Sequence, residues 1–260
     1  MEKKIIMIVG DWYYPKMVYE NLKAEFNIES IIIDKGEPTS KLLKRRIKKL
    51  GIIHVLGQLL FRLFAVSYIN ITSKRRFQDI LDRNNIKESP FEAKKTNEVP
   101  SINSDAGRAL LKKLNPDIVI IVTTRILSKK TLESIDAKFI NIHSGMTPLY
   151  RGLHGAYWAL INKDNNNCGV TVHLVDEGID TGNILYQDTI TDTITAKDNF
   201  MTYTYLQLAK ALPLLKKAIK DIQSDNMKTK INSKESINNK LYYHPTLWFY
   251  LYNRWFKGVK

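Results

Sequence analysis

A chain of 260 residues with 44% hydrophobic residues is long enough for one large or two small domains, and its composition excludes a disordered protein. The net charge of +14 favours an anionic partner, such as a phosphorylated metabolite, nucleic acid or an acidic membrane surface, although a generally Lys-rich composition explains part of the excess equally well. The single cysteine, Cys168, excludes an intrachain disulfide and a four-cysteine zinc site. We expect no signal peptide and no apolar segment of about 18 residues, and therefore a cytoplasmic protein.

The first elements alternate between strand and helix. Residues 4–10 form an unalternating β-branched run that predicts a buried parallel strand, residues 17–26 have helical spacing, and residues 28–34 predict a second strand. This βαβ order predicts an α/β fold with a mostly parallel, Rossmann-type sheet flanked by helices. The turn after the first strand contains Gly10 but no G-x-G-x-x-G spacing, so we expect no dinucleotide cofactor.

The middle of the chain changes character before the alternation resumes. Residues 41–64 mix basic and apolar residues at helical spacing, which predicts a helical pair packed on the domain or, alternatively, a helix for a membrane surface or an acidic partner. Residues 83–100 predict a loop. Further elements follow: helices at 104–115, 129–134 and 154–161, strands at 117–123 and 139–143, and two strands at 170–175 and 184–190 that suit an antiparallel edge.

The last part of the chain predicts a helix and an aromatic tail. Residues 195–222 have helical spacing, with Thr195 and Asp198 as a capping box and a kink or break at Pro213. The tail, residues 239–260, is aromatic and basic. We expect it to pack on the body or on a second subunit, and a membrane-interface role is the alternative.

An amide, an imidazole and a carboxylate mark the candidate site. Asn141 and His143 stand two residues apart in a predicted strand, so their side chains share one face, and Asp180 lies in an acidic, glycine-containing loop downstream. Taken singly, each residue type more often has a structural role than a catalytic one. Together they are suited to acid–base chemistry. The spacing of the neighbouring histidines fits no usual zinc signature, so we expect no metal.

The order of four motifs resembles that of the folate-dependent formyltransferases. N-I-H, P-L-Y-R-G, G-V-T-V-H and I-D-T-G follow one another within residues 117–190. That family includes glycinamide ribonucleotide formyltransferase, methionyl-tRNA formyltransferase and the sugar N-formyltransferases. The resemblance implies a formyltransferase catalytic domain in residues 1–190 and a C-terminal extension in residues 191–260. It also implies that Asn141, His143 and Asp180 form the catalytic triad. We expect a homodimer.

The same resemblance implies that 10-formyltetrahydrofolate donates the formyl group. Backbone groups of the segment R-I-L would hold its pterin-like head, and the loop before Asp180 would close over the ring. The residues expected to bind this donor are Thr124, Arg125, Ile126, Leu127, Val175, Asp176, Gly178 and Ile179.

The chemistry of the triad agrees with formyl transfer. When an amine attacks the formyl carbon, the formyl oxygen gains negative charge, which Asn141 and a protonated His143 can stabilise by donating hydrogen bonds. Asp180 can orient His143 and accept the proton that the amine loses. This scheme needs neither a covalent enzyme intermediate nor a metal.

Departures from the better-known members favour a small amine as the acceptor. The turn after the first strand has three aromatic residues where the glycinamide ribonucleotide enzymes have a glycine-rich phosphate loop. Only 70 residues follow residue 190, too few for the C-terminal barrel of the tRNA enzymes. We therefore expect a nucleotide-linked amino sugar of surface-polysaccharide (O-antigen) synthesis. Its expected contacts are Trp12, Tyr13, Tyr14, Met146, Tyr150 and Arg151.

Three alternatives remain open from the sequence. The first is a purine-pathway formyltransferase with an unusual phosphate loop. The second is a non-catalytic protein that keeps the fold, and the intact triad argues against it. The third is a nucleic-acid-binding protein, which only the charge suggests, so we expect no nucleic-acid partner. A weak contact with a membrane surface is compatible with the aromatic tail.

Overall fold

The structure, a computed structural model, describes residues 3–232 and 240–260. The start of the predicted tail, residue 239, lies outside the described residues. The strands are β1 (Ile5–Val9), β2 (Ile28–Asp34), β3 (Thr96–Val99), β4 (Ile118–Val122), β5 (Lys138–His143), β6 (Arg151–Gly152), β7 (Gly169–Leu174), β8 (Ile184–Thr189) and β9 (Leu241–Tyr242).

The helices connect and cover these strands. They are α1 (Tyr13–Lys23), α2 (Thr39–Leu50), α3 (Ile52–Leu60), α4 (Ser67–Thr72), α5 (Lys74–Arg83), α6 (Asp105–Leu114), α7 (Lys129–Leu132), α8 (Gly155–Ile161), α9 (Thr202–Gln223) and α10 (Leu247–Phe256), with a π-helical turn (Phe61–Val66) between α3 and α4.

A seven-stranded sheet with the order β3-β2-β1-β4-β5-β7-β8 organises the chain. The first five strands in that order are parallel, and β7 and β8 complete the sheet in antiparallel register. The expected α/β fold with a mostly parallel sheet and flanking helices is therefore confirmed. The small pair β6-β9 is parallel and ties the C-terminal region to the segment after β5.

The central strands are buried on both faces, which explains their unbroken apolar sequences. Alternate side chains of β1 enter two different cores: Ile5 and Met7 pack with α1 and α9, whereas Ile6 and Ile8 pack on the side of α6. Helix α9, which comes after the last strand of the sheet in sequence, thus packs on one face of that sheet. The division at residue 190 stays a prediction.

A third, aromatic core joins the remaining helices. Phe61, Tyr157, Phe200 and Tyr250 meet edge to face or tilted, with ring centroids 4.9 to 6.3 Å apart. These rings come from the π-helical turn, α8, the segment before α9 and α10. Part of the aromatic tail therefore packs on the body, and the structure describes no second subunit.

Three expectations about local structure are wrong. Residues 96–99, expected in a loop, form the edge strand β3, which pairs only with β2. Its side chains are polar and mostly not buried, so its sequence shows no apolar strand pattern. Helix α9 begins at Thr202, and Thr195 and Asp198 instead bond each other in the preceding turn. Pro213 does not break α9, because it lies on the exposed side, where water can reach the carbonyl that it leaves unpaired; a kink at Pro213 stays a prediction.

The expectation that the chain lacks a long apolar segment is also wrong. The continuous helical run Ile52–Thr72 has 21 residues and a mean hydropathy of 1.7, so by length and composition it could cross a membrane. The sequence favours a helical pair in this region, because Gly51 and Gly57 weaken a single uninterrupted amphipathic helix. Gly51 ends α2, whereas Gly57 lies inside α3, and the helical run continues through the π-helical turn to Thr72.

Candidate functional site

A cavity of about 730 Å³ opens where the carboxyl ends of β4 and β5 meet the loop after β7. Ligands of open parallel sheets bind at such an edge, beside the point where the strand order reverses. The candidate triad, Asn141, His143 and Asp180, lines this cavity. All eight residues expected to bind the donor line it as well: Thr124, Arg125, Ile126, Leu127, Val175, Asp176, Gly178 and Ile179.

Strand register fixes the side chain of Asn141. Asn141 pairs with His173 across the antiparallel β5–β7 ladder, so both side chains lie on one face, and Asn141 Nδ2 is 3.2 Å from His173 Nε2. His173 Nδ1 donates to the carbonyl oxygen of Leu174 over 2.7 Å, which leaves Nε2 as the acceptor. Burial lowers the pKa of His173, which favours this neutral form. The amide of Asn141 is thereby oriented, with its second N–H still available to a ligand.

His143 and Asp180 form the second part of the site. His143 Nδ1 is 3.3 Å from Asp180 Oδ1, and His143 Nε2 donates to the carbonyl oxygen of Tyr150 over 2.7 Å. The other carboxylate oxygen of Asp180 accepts the backbone N–H of Gly152 over 2.9 Å. Both ring nitrogens of His143 thus have partners. The geometry therefore leaves Asn141, rather than His143, with a free donor.

The backbone around the triad is shaped for these contacts. Asp180 has a φ of +53°, a left-handed conformation that short polar residues tolerate better than most. A Cβ atom on Gly145 would lie 2.2 Å from the Tyr150 carbonyl oxygen and 2.7 Å from His143 Nε2. Glycine at this position therefore allows the carbonyl of Tyr150 to reach His143.

The expected donor loop after β4 is held by a buried ion pair. The guanidinium of Arg125 contacts both carboxylate oxygens of Asp34, at 2.7 Å each, and donates to the carbonyl oxygen of Pro100 over 3.0 Å. Asp34 ends β2 and is fully buried. Within the described part of the chain, the backbone N–H groups of Ile126 and Leu127 have no hydrogen-bond partner. The loop can therefore offer these groups to a polar heterocycle.

None of the six residues expected to bind the acceptor lines the cavity. Trp12 is exposed and Tyr13 stacks on Tyr205, whereas Tyr14 packs against the main core. Met146 is buried. Trp12, Tyr13 and Tyr14 belong to the turn after β1 and the start of α1, whereas Met146 packs in the aromatic core.

Tyr150 and Arg151 support the cavity from behind. The hydroxyl of Tyr150 donates to Asp164 over 2.9 Å, and its ring stacks on Tyr242. Nε of Arg151 donates to the carbonyl oxygen of Ile179 over 2.8 Å. Arg151 thus holds the loop that carries Asp180.

The sequence reading missed the opposite wall of the cavity. This wall consists of α2 and the segment around β9, and its lining residues are Leu42, Arg45, Arg46, Lys49, Leu50, Leu241, Tyr242 and Tyr243. The ammonium of Lys49 lies 5.4 Å from the ring centre of Tyr243. The basic residues of the segment 41–64 are evident in the sequence, but no local pattern predicts which part of the fold they face.

This wall carries an excess of positive charge. Burial and the nearby Arg62 and Arg45 lower the pKa of Arg46. Burial, together with Arg62 and Arg46, lowers the pKa of His244 to about 4. His244 is hydrogen-bonded to His154, which lines the cavity. A ligand with negative charge would relieve the repulsion among these groups. Among residues 3–232 and 240–260, no cluster of side chains could hold a metal ion.

The family model described as formyl transferase matches residues 64–210, which include the whole triad and the donor loop. The match covers more than half of the chain, and the chain belongs to this family.

The similar proteins include several kinds of formyltransferase. A methionyl-tRNA formyltransferase of Finegoldia magna is 36% identical over 91 residues, which cover 35% of this chain and only 29% of that protein. A sugar N-formyltransferase from a Shewanella species superposes with a TM-score of 0.56 at 19% identity, covering 92% of this chain and 76% of that one. A phosphoribosylglycinamide formyltransferase from Anaplasma phagocytophilum has a TM-score of 0.55 at 16% identity, covering 91% and 98%. The structural likenesses show the fold alone.

Proposed function

We propose that the protein transfers a formyl group from 10-formyltetrahydrofolate to the primary amine of a nucleotide-linked amino sugar. The observation that carries the transfer is the triad at the cavity, where the Asn141 amide is oriented by His173 and the carboxylate of Asp180 faces His143. Membership of the formyl transferase family supports the reaction class.

Each triad residue has a role that follows from its contacts. Attack of the amine on the formyl carbon places negative charge on the formyl oxygen, and the free N–H of Asn141 donates to that oxygen. Asp180 accepts the proton that the amine loses, directly or through one water. His143 joins Asp180 to the fixed carbonyl of Tyr150, so that the carboxylate keeps its position while it gains the proton.

The residues of the donor side fit a pterin-like ring with its glutamyl tail. Ile126 presents an exposed apolar side chain beside the unpaired backbone N–H groups of the same loop. Such a wall can cover one face of an aromatic heterocycle while the backbone bonds its edge. Arg45, Arg46 and Lys49 of α2, which line the cavity, are suited to the carboxylates of the tail or to the phosphates of the acceptor.

The choice of acceptor rests on the residues and charge of the opposite wall, formed by α2 and the segment around β9. Tyr243 offers an aromatic ring, and Arg45, Arg46 and Lys49 offer positive charge, a combination that suits a nucleoside diphosphate carrying a sugar. The similar fold of a sugar N-formyltransferase supports this choice. Glycinamide ribonucleotide is the second candidate, because the chain also covers nearly the whole of a phosphoribosylglycinamide formyltransferase.

A direct test offers both acceptors to the purified protein. Formyl transfer from 10-formyltetrahydrofolate is followed with a panel of nucleotide-linked amino sugars and with glycinamide ribonucleotide. Turnover of one or more amino sugars is the expected result. Turnover of glycinamide ribonucleotide alone would reject the sugar acceptor, and no transfer to either would reject the proposal as a whole.

Replacement of Arg125 by Met should weaken donor binding more than turnover. The change leaves the buried carboxylate of Asp34 unpaired and frees the loop that we assign to the donor. We expect KM for the donor to rise about tenfold, the free-energy equivalent of one charge-assisted hydrogen bond, with kcat within about threefold of wild type. Arg108→Met, which removes a guanidinium on α6, is the control. A fall in kcat at unchanged KM would contradict this role.

Replacement of His173 by Leu should lower kcat through Asn141. Leu retains an apolar volume but cannot accept from the Asn141 amide, which then loses its fixed orientation. We expect kcat to fall about 100-fold, at the lower end of the range for losing one oriented donor, while KM for both substrates changes little. The exposed His54→Leu on α3 serves as a control. If His173→Leu raised KM and spared kcat, His173 would be a binding residue instead.

A further inference from the structure

An apolar surface faces outward from the helical run Ile52–Thr72. Val55, Phe61, Ala65 and Ile69 of this run are buried against the body, and their spacing places them on one side of the helix. The opposite side is apolar as well and is exposed. Its residues are Ile52, Ile53, Leu56, Leu59, Leu63, Phe64, Tyr68 and Ile71.

Helix α10 extends this surface. Trp248 packs so closely over Gly57 that a Cβ atom there would lie 2.3 Å from its ring, and the ring centres of Tyr250 and Phe61 are 5.0 Å apart. The outer side of α10 exposes further aromatic rings. We call the docking face the exposed side of Ile52–Thr72 together with Trp248, Phe249, Tyr252, Trp255 and Phe256.

The exposed fractions are large for rings and branched side chains. Leu63 is 64% exposed, Phe64 58%, Trp255 71% and Phe256 74%. Single exposed apolar residues are ordinary on proteins, but a contiguous face of this kind marks a place of contact.

The net charge of the protein is concentrated around the docking face. Residues 38–78 and 240–260 contain 14 of the 40 Lys and Arg residues and no Asp or Glu. The rest of the chain has 26 basic and 26 acidic residues, so these two segments account for the whole charge of +14. In α2, Lys41 and Arg45 pair with Glu37, whereas Lys44 and Lys48 have no acidic partner among the described residues.

We propose that the docking face binds the surface of a lipid bilayer that contains anionic headgroups. An apolar face rich in Trp, Phe and Leu, bordered by Lys and Arg, matches the chemistry of the boundary between acyl chains and charged headgroups. Nucleic acid would satisfy the charge but not the aliphatic side chains. A second copy of the chain would cover the apolar residues but would place two basic borders against each other.

The packing of the helical run indicates that it lies in the plane of the bilayer. Only a third of the apolar window is buried inside the protein, but that third includes Phe61 and Ile69 of the aromatic core. A helix that crossed the bilayer would have to leave this core. Lying flat, the run keeps its inner side packed and gives its outer side to the lipid.

Docking would also bring the cavity close to the headgroups. Helix α2 contributes to the basic border of the docking face, and three of its basic residues, Arg45, Arg46 and Lys49, line the cavity. The closeness of the docking face to the cavity does not depend on which acceptor the protein uses.

The test measures co-sedimentation of the full-length protein with vesicles. Phosphatidylcholine vesicles with about one third phosphatidylglycerol should bind the wild type, and pure phosphatidylcholine vesicles should bind it much less. Replacing Leu63, Phe64 and Trp255 together by Ser should lower the partition coefficient about tenfold or more, because each exposed apolar side chain contributes to insertion.

A second variant tests the charge without touching the cavity. Lys44→Glu with Lys48→Glu reverses two charges on α2 at positions that do not line the cavity, and should weaken binding to the anionic vesicles at least about 30-fold. Lys112→Glu with Lys113→Glu on α6 makes the same change elsewhere and should bind like the wild type. Circular dichroism and thermal melting check that each variant is folded.

Two results would overturn the proposal. One is wild-type binding to anionic vesicles that neither the apolar nor the α2 variant reduces. The other is a dimer, seen by analytical ultracentrifugation, that the apolar variant converts to a monomer while the wild type binds no vesicles; the face would then belong to a second copy. Formyl transfer to a soluble acceptor, unchanged in both variants, keeps this test separate from that of the proposed function.

Discussion

Replacement of Asp180 by Asn should reduce kcat for formyl transfer by about 10³-fold, within the range for loss of a positioned proton acceptor. Asn has nearly the same shape and can still accept the backbone N–H of Gly152, so the loop should keep its conformation. It cannot take the proton of the amine, and it no longer places a negative charge 3.3 Å from His143 Nδ1. The loss should therefore appear in kcat, with KM for the donor nearly unchanged.

Asp164→Asn provides the matched control. Asp164 is another carboxylate close to the site, where it accepts the hydroxyl of Tyr150, but it does not line the cavity. Its replacement should leave kcat within about threefold of wild type. Steady-state kinetics at saturating donor and acceptor make the comparison. An Asp180→Asn enzyme with kcat close to wild type would remove Asp180 from the proton transfer.

The sequence predicts best those elements whose composition depends on their own burial in the sheet and not on distant segments. The isoleucine runs of β1, β2 and β4 are buried on both faces, so composition alone identifies them. Ser104 caps α6 through Gly107, as its sequence predicts. The loop predicted for residues 96–99 is wrong, because this polar edge strand forms by pairing with the free edge of β2, and the local sequence carries no information about that edge.

The same distinction divides the candidate site. The triad and the donor loop follow directly after strands of the sheet, so motif order places them at one edge, and all of those residues line the cavity. The acceptor side depends on which distant segments cover that edge. Helix α2 ends 91 residues before Asn141 and β9 begins 61 residues after Asp180, and their placement comes from tertiary packing. The composition of the aromatic turn after β1 suggests an acceptor site, but none of its three aromatic residues lines the cavity.

A buried ion pair between α5 and the segment before α9 gives the largest expected effect on stability. The guanidinium of Arg76 on α5 donates to both carboxylate oxygens of Asp198, over 2.8 Å each, and Asp198 also accepts from Thr195. The side chain of Asp198 has no exposed surface. Asp198→Asn would leave Arg76 without its main charge partner, which costs about 3 kcal/mol for a buried pair. For a chain of this size, Tm should fall by roughly 6–12 °C.

The pH dependence of this effect has a definite sign. Burial opposes ionisation of Asp198, but the hydrogen bonds from Arg76 and Thr195 outweigh it, so the pKa of Asp198 lies below its ordinary value of 3.8. A carboxyl whose pKa is lower in the folded state stabilises that state fully above the unfolded pKa, and this contribution is lost as the pH falls through the folded pKa. Thermal melts of wild type and Asp198→Asn should therefore differ most at neutral pH and converge below about pH 3.8. Asp105→Asn, which breaks an exposed pair with Arg108, should leave Tm unchanged at both pH values. A Tm difference that persisted undiminished in acid would mean that packing, and not the charge of Asp198, holds α5 to the segment before α9.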